Sequence, residues 1–131
     1  MSPANKNGLH GLRTLVVEDD FFVAQSLALV LSRFGCEVVG PVATVQDACH
    51  LAEQAELDMA ILDVVIHGGN SEPVARLLIS RGCPFLFLTG FRDVDMLSED
   101  LQGYPRLQKP ADAETLRRAI KDRQRDCGKS T

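Results

Sequence analysis

The sequence lacks several features that would point to well-known classes of protein. No apolar run approaches the roughly 18 residues of a transmembrane helix. Residues 1–12 have no apolar stretch of the kind that a secretory signal requires. There is no excess of basic residues, since the formal net charge is −4, and this argues against nucleic acid as a partner. No internal repeat, low-complexity tract or interdomain linker is present.

Closely paired cysteines are also missing. The four cysteines lie far apart and form no C-x-x-C pair; they are Cys36, Cys49, Cys83 and Cys127. Because structural zinc sites usually draw on paired ligands, we do not expect one here. Instead, we interpret the cysteines as reduced thiols of a cytoplasmic protein, most of them small core residues.

The residues that are present fit one globular domain. The chain has 131 residues, of which 45% are hydrophobic and 24% are charged. We predict an N-terminal leader over residues 1–11, a folded domain over 12–126 and a C-terminal tail over 127–131. The leader is expected to be flexible because it is polar and contains glycine.

One stretch organises the rest of the chain. Met59 to Leu62 is a short apolar run that ends at the carboxylate of Asp63, and Gly68 and Gly69 follow within a few residues. Such a run is typical of a strand buried on both faces of a parallel sheet. In open α/β sheets, ligands bind at the carboxyl ends of the strands. Asp63 is therefore predicted to lie at a binding edge.

Similar strands and amphipathic segments alternate five times along the chain. We predict strands over residues 12–17, 36–39, 59–62, 84–88 and 106–108, with Gly40-Pro41 closing the second. Helices are predicted between and after them, with Thr44, Ser71 and Asp112 as N-terminal caps. The helix over Phe91 to Leu101 has few apolar anchors. Repeated βα units predict a doubly wound α/β fold, a parallel sheet between two layers of helices.

The ends of four predicted strands carry polar side chains. Glu18 and Asp19 follow the first strand, Asp63 the third, Thr89 and Gly90 the fourth, and Lys109-Pro110 the fifth. This combination, in this order, resembles the receiver domain of response regulators, the phosphoacceptor half of two-component signalling. The resemblance covers Leu12 to about Arg125. It implies a flavodoxin-like (βα)5 fold with sheet order 2-1-3-4-5.

Three carboxylates at one crevice repel one another and call for a divalent cation. The resemblance assigns Mg²⁺, or Mn²⁺, to Asp19, Asp63 and the main-chain carbonyl of Val65, with Glu18 acting on a metal-bound water. It makes Asp63 the nucleophile that forms an aspartyl phosphate. It also gives Thr89 a hydrogen bond to the phosphoryl group and Lys109 the compensating charge, with a cis Lys-Pro peptide bond. Gly90 would leave the site open.

The implied protein is a stand-alone cytoplasmic regulator rather than an enzyme acting on external substrates. It would receive its phosphoryl group from a sensor histidine kinase or a histidine phosphotransfer protein. It would then contact an unknown output protein or act as a phosphate sink, as a monomer or weak homodimer without nucleic acid or membrane. Were the sequence an excised fragment, an output domain would lie outside it.

Two positions and one loop depart from the common receiver pattern. Arg106 stands where many receivers have a switch aromatic, and Ala111 replaces a frequent phenylalanine after the Lys-Pro pair. The loop over Val64 to Asn70 has adjacent glycines, which predicts flexibility. The segment Phe87 to Phe91 resembles the FAT GUY receivers, which also lack the aromatic.

Two hypotheses follow from these departures. The signal is expected to propagate through mobility of the Phe91 to Leu101 segment rather than through an aromatic rotamer. Dephosphorylation is expected to be slow, because Val65 and Phe91, two residues beyond Asp63 and Thr89, are apolar and cannot orient a water.

Other interpretations of the same residues remain open. The chain could be a Mg²⁺-dependent phosphatase, although that family usually has a D-x-D motif after its first strand, or a degenerate receiver that only binds partners. The acids Glu18 to Asp20 could simply favour a helix N-terminus, which is the role expected for Asp20. Lys109 and His67 could be solvated surface residues, and for His67 this is the favoured interpretation.

Overall fold

The computed structural model describes residues 9–90 and 93–129. Five strands form one parallel sheet: β1 Arg13–Val17, β2 Glu37–Val42, β3 Met59–Asp63, β4 Phe85–Thr89 and β5 Arg106–Gln108. Their spatial order is β2-β1-β3-β4-β5. The doubly wound fold and the 2-1-3-4-5 order are therefore confirmed.

Helices cover both faces of this sheet. They are α1 Phe21–Arg33, α2 Val45–Gln54, α3 Glu72–Ser80, α4 Glu99–Gln102 and α5 Ala113–Lys129. Buried residues of α2, α3 and α4 share one hydrophobic cluster with the sheet, and those of α1 and α5 share another. Within the described residues, no helix has the length and hydropathy needed to cross a membrane.

The central strands supply both clusters. Every residue of β3 and β4 is buried. Because side chains alternate along a strand, Ala60 and Leu62 pack in the first cluster while Met59 and Ile61 pack in the second. This two-sided burial explains why β3 is a continuous apolar run, and it places Asp63 at the edge of the core.

The second strand is longer than predicted. It does not stop at Gly40-Pro41 but continues to Val42, with an irregular register on β1 between Leu15 and Val17. Gly40 has φ +98°, and a Cβ there would lie 3.0 Å from Val42 N. Because glycine permits this close turn, the strand can resume its pairing with β1 afterwards. Gly40-Pro41 therefore marks a bulge within the strand and not its end.

Ordered structure is present on both sides of the segment 12–126. Leu9 is buried in the core, and Gly11 N donates to Gly35 O over 2.7 Å. At the other end, α5 continues to Lys129. Three residues of the predicted tail are thus helical. Residues 1–8 lie outside the described part of the chain.

The loop after β3 contains a feature that the sequence did not reveal. Val65–Ile66 and Gly69–Asn70 form a small antiparallel hairpin, which Val45 N anchors by donating to His67 O over 3.0 Å. The predicted cap of α3 is also wrong in detail. Ser71 makes no side-chain cap hydrogen bond, and Asn70 Oδ1 accepts from Glu72 N over 2.9 Å instead. The hairpin thus brings the Asn70 side chain to the first main-chain N–H of α3, in place of Ser71.

The single helix predicted over Phe91 to Leu101 is not formed. A 3₁₀ turn spans Asp93–Met96, and the short α4 follows after a break. Phe91 lies outside the described residues. Among the side chains described in this segment, Leu97 and Leu101 are buried in the core cluster.

Candidate functional site

Glu18 and Asp20, which follow β1, have different structural roles. Glu18 N donates to Val42 O over 2.9 Å, so the extension of β2 fixes Glu18 at the sheet edge, where it is 2% exposed. Asp20 caps α1, since its Oδ1 accepts from Val23 N over 3.0 Å. The structural role predicted for Asp20 is confirmed, and Glu18 turns inward.

Asp63 and Lys109 meet above the central strands. Asp63 ends β3 in register with Leu88 and is 4% exposed. Lys109 follows β5, and its main-chain N donates to Thr89 O over 2.8 Å. Its Nζ lies 3.0 Å from Asp63 Oδ2 and 2.6 Å from Glu18 Oε1. The Lys109-Pro110 peptide bond is cis, as predicted.

The acids are close enough to share one cation. One carboxylate oxygen from each of Glu18, Asp19 and Asp63 lies within 4.8 Å of the others. Glu18 Oε1 is buried and, apart from its ion pair with Lys109, has no hydrogen-bond partner among the described residues. An all-oxygen, negatively charged donor set of this kind fits Mg²⁺ or Mn²⁺.

Burial perturbs the ionisation of this cluster. It raises the pKa of Asp63 to about 7, with Glu18 adding to the rise and Lys109 opposing it. For Lys109, burial lowers the pKa, but contacts with Glu18 and Asp63 outweigh it and leave the pKa raised. In the absence of a metal ion, the Lys109 side chain is therefore positively charged and partly neutralises Glu18 and Asp63. A second cation would relieve the remaining repulsion.

Thr89 and Val65 lie at the edges of the same crevice. Thr89 is one residue beyond Leu88, the partner of Asp63, and is 5% exposed. Val65 opens the hairpin two residues after Asp63 and is half-buried. Gly90 does not simply leave space open: a Cβ there would lie 2.7 Å from Asp93 Oδ2.

His67 is nearer the site than the sequence indicated. Its Nε2 lies 3.9 Å from Asp19 Oδ2, and its side chain is 73% exposed. It remains an exposed loop residue, but the hairpin folds the loop back so that the imidazole borders the acids. In the sequence, only its position four residues after Asp63 hinted at this proximity, and that spacing cannot be interpreted without knowing that the loop forms a hairpin.

Within the part of the chain that the structure describes, neither Arg106 nor Tyr104 provides an aromatic switch beside Lys109. Arg106 is exposed, and its Nη1 donates to Gln102 O over 2.9 Å. Tyr104 stacks on Phe85, with ring centroids 5.1 Å apart. Phe85 begins β4, whereas Thr89 ends it, so the tyrosine packs roughly 13 Å along the strand from the crevice.

An apolar surface flanks the crevice on the α1 side. Phe21 and Phe22 are 67% and 78% exposed and pack edge to face at the start of α1. Beside them is a cavity of about 360 Å³, whose lining includes Phe22, Lys109 and Ala111. The small side chain of Ala111 leaves this space unfilled.

The sequence profile of the response regulator receiver domain matches residues 14–121. This chain belongs to that family. Receiver domains are the phosphoacceptors of two-component systems, and both the sheet order and the acidic crevice of this receiver agree with that membership.

The receiver is similar to several characterised or solved proteins. It is 32% identical over 111 residues to the transcriptional regulatory protein PdtaR of Mycobacterium tuberculosis, covering 82% of this chain and 54% of PdtaR. SdrG of Sphingomonas melonis Fr1 is 37% identical, with TM-score 0.74 over 85% of this chain and 94% of SdrG. The chain spans about half the length of the curated relatives it matches.

A third likeness is at the level of fold. The receiver domain of the sensor histidine kinase PA1611 from Pseudomonas aeruginosa PAO1 is 22% identical, with TM-score 0.73 over 87% of this chain and 98% of that one. That domain was solved with a magnesium ion coordinated in its active-site cleft.

Proposed function

We propose that this receiver accepts a phosphoryl group on Asp63 from a sensor histidine kinase or a histidine phosphotransfer protein. The observation that carries the proposal is the meeting of three acids and one lysine at the sheet edge. Asp63 Oδ2 lies 3.0 Å from Lys109 Nζ, and its carboxylate shares a 4.8 Å cluster with those of Glu18 and Asp19. Such a site suits a nucleophilic carboxylate facing an anionic donor.

The transfer is an in-line displacement. An oxygen of Asp63 forms a bond to phosphorus while the bond from phosphorus to the donor's imidazole nitrogen breaks, and that nitrogen keeps the electron pair. Lys109 balances the negative charge that Asp63 brings, and the Thr89 hydroxyl donates to a phosphoryl oxygen. The strand register supports both roles, since Thr89 is one residue beyond the partner of Asp63 and Lys109 N donates to Thr89 O.

Asp19, Asp63 and the carbonyl of Val65 would hold Mg²⁺, or Mn²⁺, with Glu18 acting on a metal-bound water. The close, all-oxygen donor set of Glu18, Asp19 and Asp63 supports this assignment. When bound, the cation supplies positive charge that screens the acids and the phosphoryl oxygens. Glu18 would then orient water, and Asp19 and Asp63 would fix the position of that charge.

The output of this receiver is proposed to run through protein contacts, or through use of the domain as a phosphate sink, in the cytoplasm. The relatives named as transcriptional regulators are about twice as long as the segment they share with this chain, so their regulation of transcription is not assigned to it. We propose a monomer or weak homodimer, without direct nucleic-acid or membrane binding, in line with the net charge of −4.

The phosphodonor protein is proposed to contact the apolar surface beside Lys109. In-line attack requires the donor histidine to approach the crevice, and Phe22 is 78% exposed on its border. We expect Phe22→Ser to slow phosphorylation by the kinase about tenfold, because a buried aromatic contact is lost. Phosphorylation by phosphoramidate should stay within twofold of wild type. An equal loss with both donors would instead indicate damage to the site.

The direct test is phosphotransfer from a panel of phosphorylated histidine kinases. We expect one kinase to transfer rapidly and stoichiometrically to the wild type and not to Asp63→Asn. Asp95→Asn removes an exposed acid and serves as the matched control. Repeated turnover of simple phosphate esters would favour the phosphatase alternative. Failure of every donor, including phosphoramidate, would favour a degenerate receiver.

A further inference from the structure

The Gly90 amide at the end of β4 is already bonded to a carboxylate. Gly90 N donates to Asp93 Oδ2 over 2.9 Å, and Asp93 N donates back to Gly90 O over 3.2 Å. A Cβ on Gly90 would meet the same carboxylate oxygen at 2.7 Å. Asp93 therefore lies directly over this peptide.

The direction of the Gly90 N–H follows from its neighbours in β4. Leu88 O accepts from Val64 N on the β3 side, and Thr89 O accepts from Lys109 N on the β5 side. Because main-chain groups alternate between neighbouring strands, Gly90 N–H is directed to the β3 side again. Asp63 pairs with Leu88, so this amide lies about 7 Å further along, beyond the end of β3.

A main-chain N–H beyond the end of a strand is a natural donor to an anion. A phosphoryl group on Asp63 would extend from the same strand end into this region. It would compete with the Asp93 carboxylate for one N–H, and the two anions would repel each other.

We propose that Asp93 is a positioning residue that occupies the Gly90 amide in the unphosphorylated receiver and that phosphorylation displaces it. The inference rests on the proposed role of Asp63 as phosphoacceptor. Asp93 does not touch the reacting atoms; it acts by withholding a hydrogen-bond donor from the phosphoryl group.

The displacement has a consequence for the segment 93–102. Asp93 opens its 3₁₀ turn. The far side of the segment is tied to the loop after Asp63, because Asn70 Nδ2 donates to Met96 O over 3.2 Å. Release of Asp93 would free the attachment to Gly90, while the hydrogen bond between Asn70 and Met96 would still connect the segment to the loop after Asp63. This gives the segment a path to respond without an aromatic switch.

Beryllofluoride, an analogue of the phosphoryl group, tests the proposal in the intact chain with Mg²⁺. Titration followed by ¹⁵N NMR gives its apparent affinity and the Gly90 amide shift. We expect Asp93→Ala to bind roughly tenfold more tightly than wild type, which corresponds to about 1.4 kcal/mol. Asp93→Asn keeps an acceptor but loses the charge, and is expected to fall between them. Asp95→Ala removes a like charge from the same turn and should change affinity less than twofold.

The amide resonance separates this role from a merely structural one. Without beryllofluoride, the Gly90 proton should move upfield in Asp93→Ala but not in Asp95→Ala. With beryllofluoride, its shift should be the same in wild type and Asp93→Ala. Equal or weaker binding by Asp93→Ala, while wild type binds, would overturn the inference and leave the proposed function intact. If wild type does not bind the analogue at all, the proposed function fails, and the inference fails with it.

Discussion

Removing the charge of Asp63 is expected to stabilise the metal-free protein. Asp63 is 4% exposed, and burial raises its pKa from 3.8 to about 7, with Glu18 adding to the rise. At pH 8 the ionised carboxylate therefore disfavours folding by about 4 kcal/mol. Asparagine has a similar shape and no charge, and the attraction of Lys109 is already included in that pKa, but the buried amide must find hydrogen-bond partners of its own, which offsets part of the gain. We expect Asp63→Asn to be more stable by about 2 kcal/mol.

The effect depends on pH in a defined direction. The pKa of Asp63 is higher in the folded state than in the unfolded state, so the folded protein binds more protons between pH 3.8 and about 7. Its stability contribution is lost as the pH rises through this window and stays absent above it. Asparagine does not titrate, so the advantage of Asp63→Asn over wild type should grow from pH 5 to pH 8.

Urea unfolding in EDTA at pH 5 and pH 8 measures this difference. Asp95→Asn, which changes the same charge at an exposed position, should differ from wild type by less than about 0.5 kcal/mol at either pH. The reasoning is refuted if Asp63→Asn is no more stable than wild type at pH 8, or if its advantage is the same at both pH values.

Three further predictions concern the cation, the 93–102 segment and the phosphoryl lifetime. Asp19→Asn should weaken Mg²⁺ binding at least tenfold by calorimetry, whereas Asp20→Asn, next to it but a helix cap, should leave affinity within twofold; equal losses would contradict the assignment. Arg76→Ala removes the ion pairs with Glu72 and Asp100, the second of which connects the segment 93–102 to α3. Amide hydrogen exchange of residues 98–102 should therefore accelerate several-fold. Unchanged exchange would show that these ion pairs do not hold the segment in place. The aspartyl phosphate should persist well beyond seconds, because the apolar Val65 cannot orient a water, and Val65→Gln should shorten its lifetime; decay of wild type within seconds would contradict this.

Those features of the fold that depend on local patterns could be predicted from the sequence. Apolar runs such as 59–62 identified the strands, and the alternation of strands with helices required a parallel sheet. Because parallel strands bring their carboxyl ends to one edge, the proximity of Asp63 and Lys109 also followed. Asp20 as the cap of α1 was predictable because capping depends on a few adjacent residues.

Other features depend on contacts that the sequence does not encode locally. Gly40-Pro41 normally ends a strand, but here pairing resumes at Val42 and thereby fixes Glu18. Leu9 stands in a polar stretch, and its burial depends on a cluster formed with residues from distant parts of the chain. The helix predicted up to Leu101 is replaced by a 3₁₀ turn and the short α4, and the apolar pattern of the segment did not distinguish the two outcomes.

The contacts between loop residues and the strand ends at the crevice were the hardest to predict from the sequence. His67 approaches Asp19 only because a hairpin folds the loop back, and Asp93 reaches Gly90 only because a 3₁₀ turn replaces a helix. Both contacts are set by loop geometry, for which one sequence contains few constraints. The expected flexibility of the loop over Val64 to Asn70 stays a prediction, as does the domain division.

Phosphate incorporation is the measurement that tests the central claim most directly. Intact-mass analysis after incubation with phosphoramidate and Mg²⁺ should show one phosphoryl group per chain in the wild type and in Asp95→Asn. Asp63→Asn should show none, and EDTA should abolish incorporation in all three proteins. Undiminished phosphorylation of Asp63→Asn would contradict the assignment of Asp63 as the phosphoacceptor.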